Sequence, residues 1–432
     1  MSISVSAGVR NALTSLAGIG SAAQEAQARL ASGKKVNSAV DNAVNYFTSS
    51  SLAARAGQFG NLLDSIGNSI KTIQAASKGL DAITKLVQSA QSTIKQAQGD
   101  IGSRPTVTSS ASIGTAASVT ATGKTMREVT LAAQLGGTAG AATTTTAQQL
   151  GMGPAAYHLQ LSVGEKTYTD TSLSATSTVK DVVDSINKSG LATASVGDDG
   201  KLSIKTSTSD KLVFGIGTGA DSAAAKLAAE SDTASSNDKL GLDKTLAKTG
   251  KDPEVSSVRN ALVSQFNDLR NQIDQLAKDA SFNGINLLTG DKLSVVFNEK
   301  TGNNQNKLDI QGQSIDSDTL GIKKATTDKT ETFNINFQSD SALAKAADSL
   351  TATLATVRST ASTFGANLGV VQTRQDFSKD LISTLKAGAD DLVLADTNEE
   401  AAKLLALQTR QQLSQQALSL SNQADQAILR LF

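Results

Sequence analysis

The residues able to do chemistry are few. The chain has one histidine, His158, and no cysteine. An imidazole works as a general acid or base only beside a reacting group or a second catalytic residue. His158 alternates with Tyr157 in "AYHLQL", with no acid or nucleophile near it in sequence. It reads as a histidine carried by a strand. Gly215, Gly217 and Ala220 in "LVFGIGTGADSAAAKLAAE" follow an apolar run and precede a helix-like stretch. That is the order of a dinucleotide cradle, where glycines let a pyrophosphate reach a helix N-terminus. No second strand with a terminal acid follows, because "ESDTASSNDKL" is polar. The stretch therefore reads as a glycine turn between strand and helix. "TGKT" at Thr122–Thr125 has the end of a phosphate loop, yet Ser118 stands where the first glycine belongs. It reads as Thr-rich linker. The pairs Asp198-Asp199 and Asp390-Asp391 suit turn and helix-start duties rather than a cation site.

Composition points the same way. Lys and Arg total 40, Asp and Glu total 40, and the net charge is zero. No basic field exists to hold nucleic acid or an anionic membrane. Without cysteine there is no disulfide, thiol nucleophile or cysteine metal site. With one histidine there is no His-Glu-x-x-His zinc site. Tryptophan is absent and aromatics are 3%, thin for a catalytic or sugar-binding cleft. The expectation is no enzyme activity, no cofactor and no metal. "MSISVSAGVRNALTSLAGIG" lacks a basic start with a long apolar run, so it does not read as a cleavable secretory signal. No stretch approaches the ~20 apolar residues of a membrane span.

The elements that dominate the chain are helices. Phe59, Leu62, Ile66, Ser69, Ile73, Ala76, Leu80, Ile83, Val87, Ala90 and Ile94 alternate steps of three and four. This is a heptad seam, and it predicts a helix over 56–98, about 65 Å long. Leu343, Ala347, Leu350, Leu354, Val357, Ala361, Phe364, Leu368 and Val371 repeat the pattern, which continues to Ile382 and Leu385. Two long seams of matching length predict an antiparallel pair.

The chain ends carry stripes of smaller residues. Val9, Leu13, Leu16, Gly20, Ala23 and Leu30 form one; Leu413, Ala417, Leu420, Ala424, Ala427 and Leu431 form the other, with Ile428 beside it. Such stripes bury little area and make helices that are marginal alone. They call for a cover from outside the pair. Thr397 and Glu400 fit a capping box for the last helix. A third helix is expected to open at Asp252-Pro253-Glu254, with Pro253 in the first helical position, and to end near Asp279. Val258, Leu262, Phe266, Leu269, Ile273 and Leu276 give its apolar face.

"KLSVVFN", "KLDIQ" and "TFNINF" read as short strands. Between 105 and 251 the chain is dense in Thr, Ala, Ser and Gly, but keeps two hairpin patterns and a short helix, "TVKDVVDSINKSG". The predicted fold is mainly α. Both chain ends form a long antiparallel coiled-coil helical rod, with short β-hairpins and an inserted small α+β surface module. The expected division is 1–55 with 390–432, then 56–104 with 252–389, then the insert 105–251.

Three stretches carry a family resemblance. "RLASGKKVNSAVDNA" (29–43) resembles the signature after the first helix of bacterial flagellins, through Arg29, Leu30, Gly33, Asn37, Ser38 and Asp41. "QIDQLAKDASFNGINLL" (272–288), with Asn283 and Gly284, resembles their second core-helix signature. "NEEAAKLLALQTRQQLSQQALSLSNQADQAILRLF" (398–432) is similar to the C-terminal helix of alphaproteobacterial flagellins. The module around 178–206 also resembles an insert of flagellins and hook-associated proteins.

The resemblance implies a structural subunit that polymerises with its own kind into the helical flagellar filament, used for motility outside the cell. It implies an inner coiled-coil tube from the end segments, an outer tube from the long helices, and a solvent-facing insert. It implies type III export, an export chaperone at the C-terminal segment, and hook-associated junction and cap proteins as partners. The expected assembly residues are Leu13, Leu16, Leu30, Leu413, Ala417, Leu420, Ile428 and Leu431. Two other readings share these features: a hook–filament junction protein, and an adhesin acting through the Thr-rich insert. The chain departs from the family's enterobacterial pattern in carrying its insert before the second core helix. It also has Gln88, Ser89, Gln91 and Ser92 where receptor-stimulating flagellins carry Arg and Glu, which implies weak signalling through the animal Toll-like receptor.

Overall fold

The computed structural model describes residues 7–114, 123–139, 148–153, 156–328 and 333–429. The chain divides into two units. One comprises Met1–Gln74, Lys292–Gln311 and Gly365–Phe432; the other comprises Ala75–Asp291 and Gly312–Phe364.

The chain opens with α1 (Ala7–Ser32) and α2 (Ala43–Gly99). At 57 residues α2 is about 85 Å long, and it starts well before the expected position 56. Asn42 explains the early start: its Oδ1 accepts the Asn45 N–H at 3.0 Å and caps the helix. The α2 seam is as the heptad pattern predicts, with Phe59, Ile66, Ile73, Leu80, Ile83, Val87 and Ile94 buried. Ser69, the polar member, is tolerated because its Oγ bonds the Ser65 carbonyl one turn back, at 2.9 Å. Buried Thr72 and Thr93 do the same with Asn68 and Ser89.

The insert follows. A three-residue strand β1 (Thr106–Thr108) and α3 (Met126–Ala132) lead to the hairpin β2 (Ala156–Val163) and β3 (Lys166–Asp170). Then come α4 (Val179–Lys188), a second hairpin β4 (Ala192–Val196) and β5 (Leu202–Thr206), β6 (Leu212–Gly219) and α5 (Ser222–Ala229). The strands form two antiparallel sheets, in the orders β1-β5-β4 and β3-β2-β6. Both hairpins and the helix α4 stand where the turn signals put them; Gly190 past α4 and Gly200 in the second hairpin have positive φ, 66° and 73°. Tyr157, Leu159, Leu161, Val182, Ile186, Ile204, Phe214 and Ile216 belong to one continuous core.

The next helix, α6, spans Ser257–Asp279. It ends as predicted but starts four residues later than Pro253. The Glu254 N–H bonds the Ser103 carbonyl at 2.9 Å, which holds that segment out of the helix. Ser256 is the cap instead, accepting the Arg259 N–H at 3.3 Å. The face is also turned: Val258 is exposed, and Arg259 lies with Leu262, Phe266, Ile273 and Ala277 in the buried row. β7 (Lys292–Val296) and β8 (Lys307–Gln311) make an antiparallel hairpin. "TFNINF" contributes less than expected: β9 (Ala325–Thr326) and β10 (Ile335–Asn336) pair in parallel over two residues, and 329–332 lie outside the described residues.

The chain closes with α7 (Asp340–Val393) and α8 (Thr397–Leu429). The α2 and α7 helices run antiparallel. In one unit Ser49 Oγ donates to the Ala389 carbonyl at 2.8 Å, and Ala56 and Phe59 pack with Leu385. In the other, Gln91 Nε2 bonds Thr351 Oγ1 at 3.2 Å. The α7 row of Leu343, Leu350, Leu354, Val357, Phe364 and Val371 is buried. α8 is not capped by a Thr397–Glu400 box. Asp396 caps it, its Oδ1 accepting the Asn398 N–H at 2.9 Å, and Glu400 turns inward.

Candidate assembly surface

α1 and α8 pack against each other. Their joined ends set the direction. The Ala395 N–H bonds the Gly33 carbonyl at 2.9 Å, the Lys35 N–H bonds the Val393 carbonyl at 2.7 Å, and Lys34 and Leu394 form an antiparallel bridge. Gly33, at φ 68°, supplies the left-handed residue that ends α1. One turn into each helix, Arg29 Nη1 stands 3.6 Å from Glu400 Oε1. The loop between α1 and α2 is closed by Asp41, whose carboxylate accepts the N–H groups of Asn37 and Ser38, both at 2.9 Å. Those backbone donors, Ser38 first, hold the Asp41 carboxyl below its ordinary range. The signature residues Arg29, Gly33, Asn37, Ser38 and Asp41 thus build one turn and its tie to the start of α8.

The seam between α1 and α8 is thin. On α8 the partly covered row is Leu404, Leu407, Gln411, Ser414, Leu418 and Ser421, behind buried Glu400. On α1 it includes Val9, Ala12, Leu16, Ala26 and Leu30. Leu16 and Leu30 therefore serve the pair itself. The predicted α8 stripe lies outside it: Leu413 is 59% exposed and Leu420 67%, with Ala417 exposed between them. Leu13 of α1 is 54% exposed. The side chain of Ile428 and all of Leu431 lie outside the described residues. An exposed leucine is ordinary when alone. Here leucines recur at helical spacing along one face of α8, Leu413 and Leu420 among them.

The second family signature is a turn. Asn283 and Gly284, with φ of 53° and 79°, sit between Phe282 and Ile285, which exchange backbone bonds at 3.0 and 3.1 Å. Two successive left-handed residues are what Asn-Gly supplies. Asn286, not singled out from the sequence, completes it: its Nδ2 caps the end of α6 on the Ala277 and Lys278 carbonyls at 2.8 and 2.9 Å.

Arg259 is the larger omission from the sequence reading. It is fully buried. Its guanidinium donates to Asp340 Oδ1 at 2.6 Å and to the Phe337 carbonyl, the Asp100 carbonyl and Ser209 Oγ at 3.0 Å. These partners come from the end of α2, the insert and the start of α7. Beside it, Asp210 accepts Ser339 Oγ at 2.6 Å and the Ser341 N–H at 2.9 Å. Burial pushes the Asp210 carboxyl up, but these bonds and one from Thr208 outweigh it and hold it low. The signal in the sequence was its phase: Arg259 falls in step with Leu262 and Phe266.

The tempting motifs have structural duties. Cβ atoms at Gly215, Gly217 and Gly219 would lie 1.8, 2.2 and 2.5 Å from backbone atoms of α5. The glycines let α5 lie on β6 itself. Asp221 occupies the α5 N-terminus, accepting the Ala224 N–H at 2.8 Å, where a cradle would take a phosphate. Thr125 caps α3 with Glu128, while Ser118 and Thr122 lie outside the described residues. His158 is 6% exposed, and its Nε2 has no hydrogen bond among the described residues. Among those residues no group of three or more His, Asp or Glu side chains is placed to hold a metal ion.

Long antiparallel helices with buried seams, and end helices with an exposed leucine row, frame the described chain. Residues 3–115 match the family model of the bacterial flagellin N-terminal helical region, and residues 351–432 that of its C-terminal helical region. Flagellin FljK of Caulobacter vibrioides is 34% identical over 200 residues, 45% of this chain and 68% of that protein. A flagellin of Brucella melitensis is 32% identical over 163 residues, 37% of this chain and 57% of the relative. Flagellin A of Rhizobium meliloti is 45% identical over 71 residues, 16% and 18% of the two chains. The chain belongs to the flagellin family. Its role is that of a structural subunit of the flagellar filament.

Proposed function

We propose that Leu13, Leu413, Ala417 and Leu420 form the surface through which neighbouring subunits cover the α1–α8 pair. Leu16 and Leu30 support that surface from inside the pair, and Ile428 and Leu431 extend it. The observation that carries the reading is the recurrence of exposed leucines along α8. A repeating contact between different faces of identical copies propagates into an open helix. In this reading 1–55 and 390–432 form the inner tube, 56–104 and 252–389 the outer tube, and 105–251 faces solvent. The filament lies outside the cell. Among the described residues no helix is long and apolar enough to cross a membrane. The chain leaves by the flagellar type III route, with an export chaperone on its C-terminal segment, and meets the junction and cap proteins at the filament ends. The chain catalyses nothing.

The test is the double variant Leu413→Glu, Leu420→Glu. Burying a leucine is worth about 1.5–3 kcal/mol. The concentration needed for polymerisation should rise on the order of a hundredfold or more. Thermal unfolding of the dispersed chain should stay unchanged. Normal filaments at the ordinary concentration would exclude this face.

A further inference from the structure

The free edges of the insert sheets are treated differently. β6, one edge of β3-β2-β6, is closed. Leu212 exchanges both backbone bonds with Lys251, at 2.7 and 2.8 Å. The Asn237 side chain takes the Phe214 carbonyl at 2.8 Å and the Ile216 N–H at 3.0 Å, and the Ser236 N–H takes the Ile216 carbonyl at 2.7 Å. β4, an edge of the other sheet, is blocked at Ala194 by both ends of the Asn187 amide, at 2.8 and 3.2 Å. Unpaired edges invite another strand, and these two are protected against it.

β3, the opposite edge of the first sheet, has no such cover among the described residues. Its phase follows from the turn. Val163 and Lys166 close a two-residue hairpin at Gly164-Glu165, with Gly164 at φ 63°. The closing pair of such a hairpin is hydrogen-bonded, and bonded pairs alternate with non-bonded ones. Lys166, Tyr168 and Asp170 therefore bond inward to β2. The N–H and C=O groups of Thr167 and Thr169 point outward, and both side chains are exposed.

The strand reads Lys166-Thr167-Tyr168-Thr169-Asp170, and it is complementary to itself when reversed. In an antiparallel pair centred on Tyr168, Thr167 faces Thr169 of the second copy and Thr169 faces its Thr167. All four outward backbone groups of each strand are then bonded. Lys166 and Asp170 of one strand face Asp170 and Lys166 of the other, at the closer, non-bonded positions. Asp170 is held in place by the Ser172 N–H at 2.8 Å and Ser185 Oγ at 2.5 Å. We propose that β3 is a lateral docking edge for β3 of a second copy, joining two inserts by a continuous antiparallel sheet across a two-fold axis. This contact goes beyond polymerisation through the end helices and does not depend on it: its two-fold symmetry differs from the head-to-tail repeat along one filament, so it joins dispersed copies or copies of neighbouring filaments.

The cysteine-free chain makes the test clean. Thr167→Cys and Thr169→Cys are made separately, mixed in equal amounts, and oxidised mildly both dispersed at high concentration and after polymerisation. Bonded antiparallel partners lie about 5.5 Å apart at Cα, within disulfide reach. The mixture should give at least about tenfold more crosslinked dimer than either variant alone, since each cysteine then finds its opposite only in the other variant. Adding Lys166→Glu to both sets like charges opposite each other and should cut that yield several-fold. Equal yields in all three samples, more dimer from one variant alone, or no crosslink in the dispersed mixture at high concentration would overturn the pairing. Electron microscopy of the same samples reports polymerisation separately, so the two readings fail independently.

Discussion

The α2–α7 seam and the α1–α8 pair use the same three-four spacing with opposite results. Along α2 the row from Ile66 to Ile94 is buried, and α7 answers it with Leu350, Val357 and Phe364. Along α8 the row facing α1 includes Gln411, Ser414 and Ser421, while Leu413 and Leu420 face away. The first seam is complete within one chain. The second leaves Leu413 and Leu420 exposed; in the proposed reading neighbouring subunits cover them, which ties the stability of these helices to the polymer. In that reading one chain holds a fold that stands by itself and a pair of helices whose packing is finished by assembly.

The buried ion pairs sharpen this contrast most. Arg259 is fully enclosed and all of its nearest partners belong to the self-sufficient part. Arg259→Met would leave Asp340 Oδ1 and the Phe337 and Asp100 carbonyls without the guanidinium that donates to them. Removing one member of such a buried network costs about 3–5 kcal/mol. Urea unfolding of the dispersed chain should show that loss. Glu400 is its counterpart between the end helices, with Oε2 unbonded among the described residues and Arg29 beside Oε1. Glu400→Gln should cost less than about 1 kcal/mol in the same measurement. Comparable losses would erase the distinction.

Apolar truncations give the next largest effect. Ile83→Ala opens space in a fully buried row and should cost the dispersed chain about 2–5 kcal/mol. Leu420→Ala removes an exposed side chain and should cost it less than about 0.5 kcal/mol. The order should invert in polymerisation assays, where Leu420→Ala raises the required concentration on the order of tenfold or more. If both variants act alike in both assays, the end helices are an ordinary part of the core.

The contrast also decides what could be read from sequence. Large apolar residues mark the α2 and α7 seams, so both the pairing and its buried members were legible. The α1–α8 seam was not, because glutamines and serines form part of it and hydrophobic spacing points to the other face. The early start of α2 hid behind a polar first turn whose cap is Asn42. The late start of α6 could not be seen from Pro253, because what holds Glu254 out of the helix is the distant Ser103 carbonyl. Arg259 was missed for the same reason: its row is visible locally, but its partners lie far away in the chain. The strands were readable where turns were local, as at Gly164 and Gly200. "TFNINF" failed because its partner, Ala325–Thr326, is parallel and only two residues long. The exposed row of Leu413 and Leu420 was legible as an apolar stripe, while Leu16 and Leu30 of the matching α1 stripe are partly covered.

The smallest expected effect concerns His158, which is buried on β2 of the insert. Burial is the main cause that lowers its pKa below the ordinary value; Lys226 adds to this, and Glu230 opposes it. A base with a lowered pKa in the folded state binds protons more readily when unfolded. Its stabilising contribution is therefore complete above the ordinary histidine pKa near ~6.5, and is lost as pH falls from there toward the lowered native value. The chain has one histidine, and no other side chain ordinarily titrates between about pH 5 and 8. The urea midpoint of the dispersed chain should decline as pH falls from about 6.5 to 5, and His158→Gln should flatten that decline. Polymerisation through Leu413 and Leu420 should not follow the same titration, because no histidine stands on α1 or α8. Equal slopes in the two proteins would mean that the buried imidazole is not the titrating group. A polymerisation curve that tracked His158 would mean that the insert core and the end helices are coupled rather than separate.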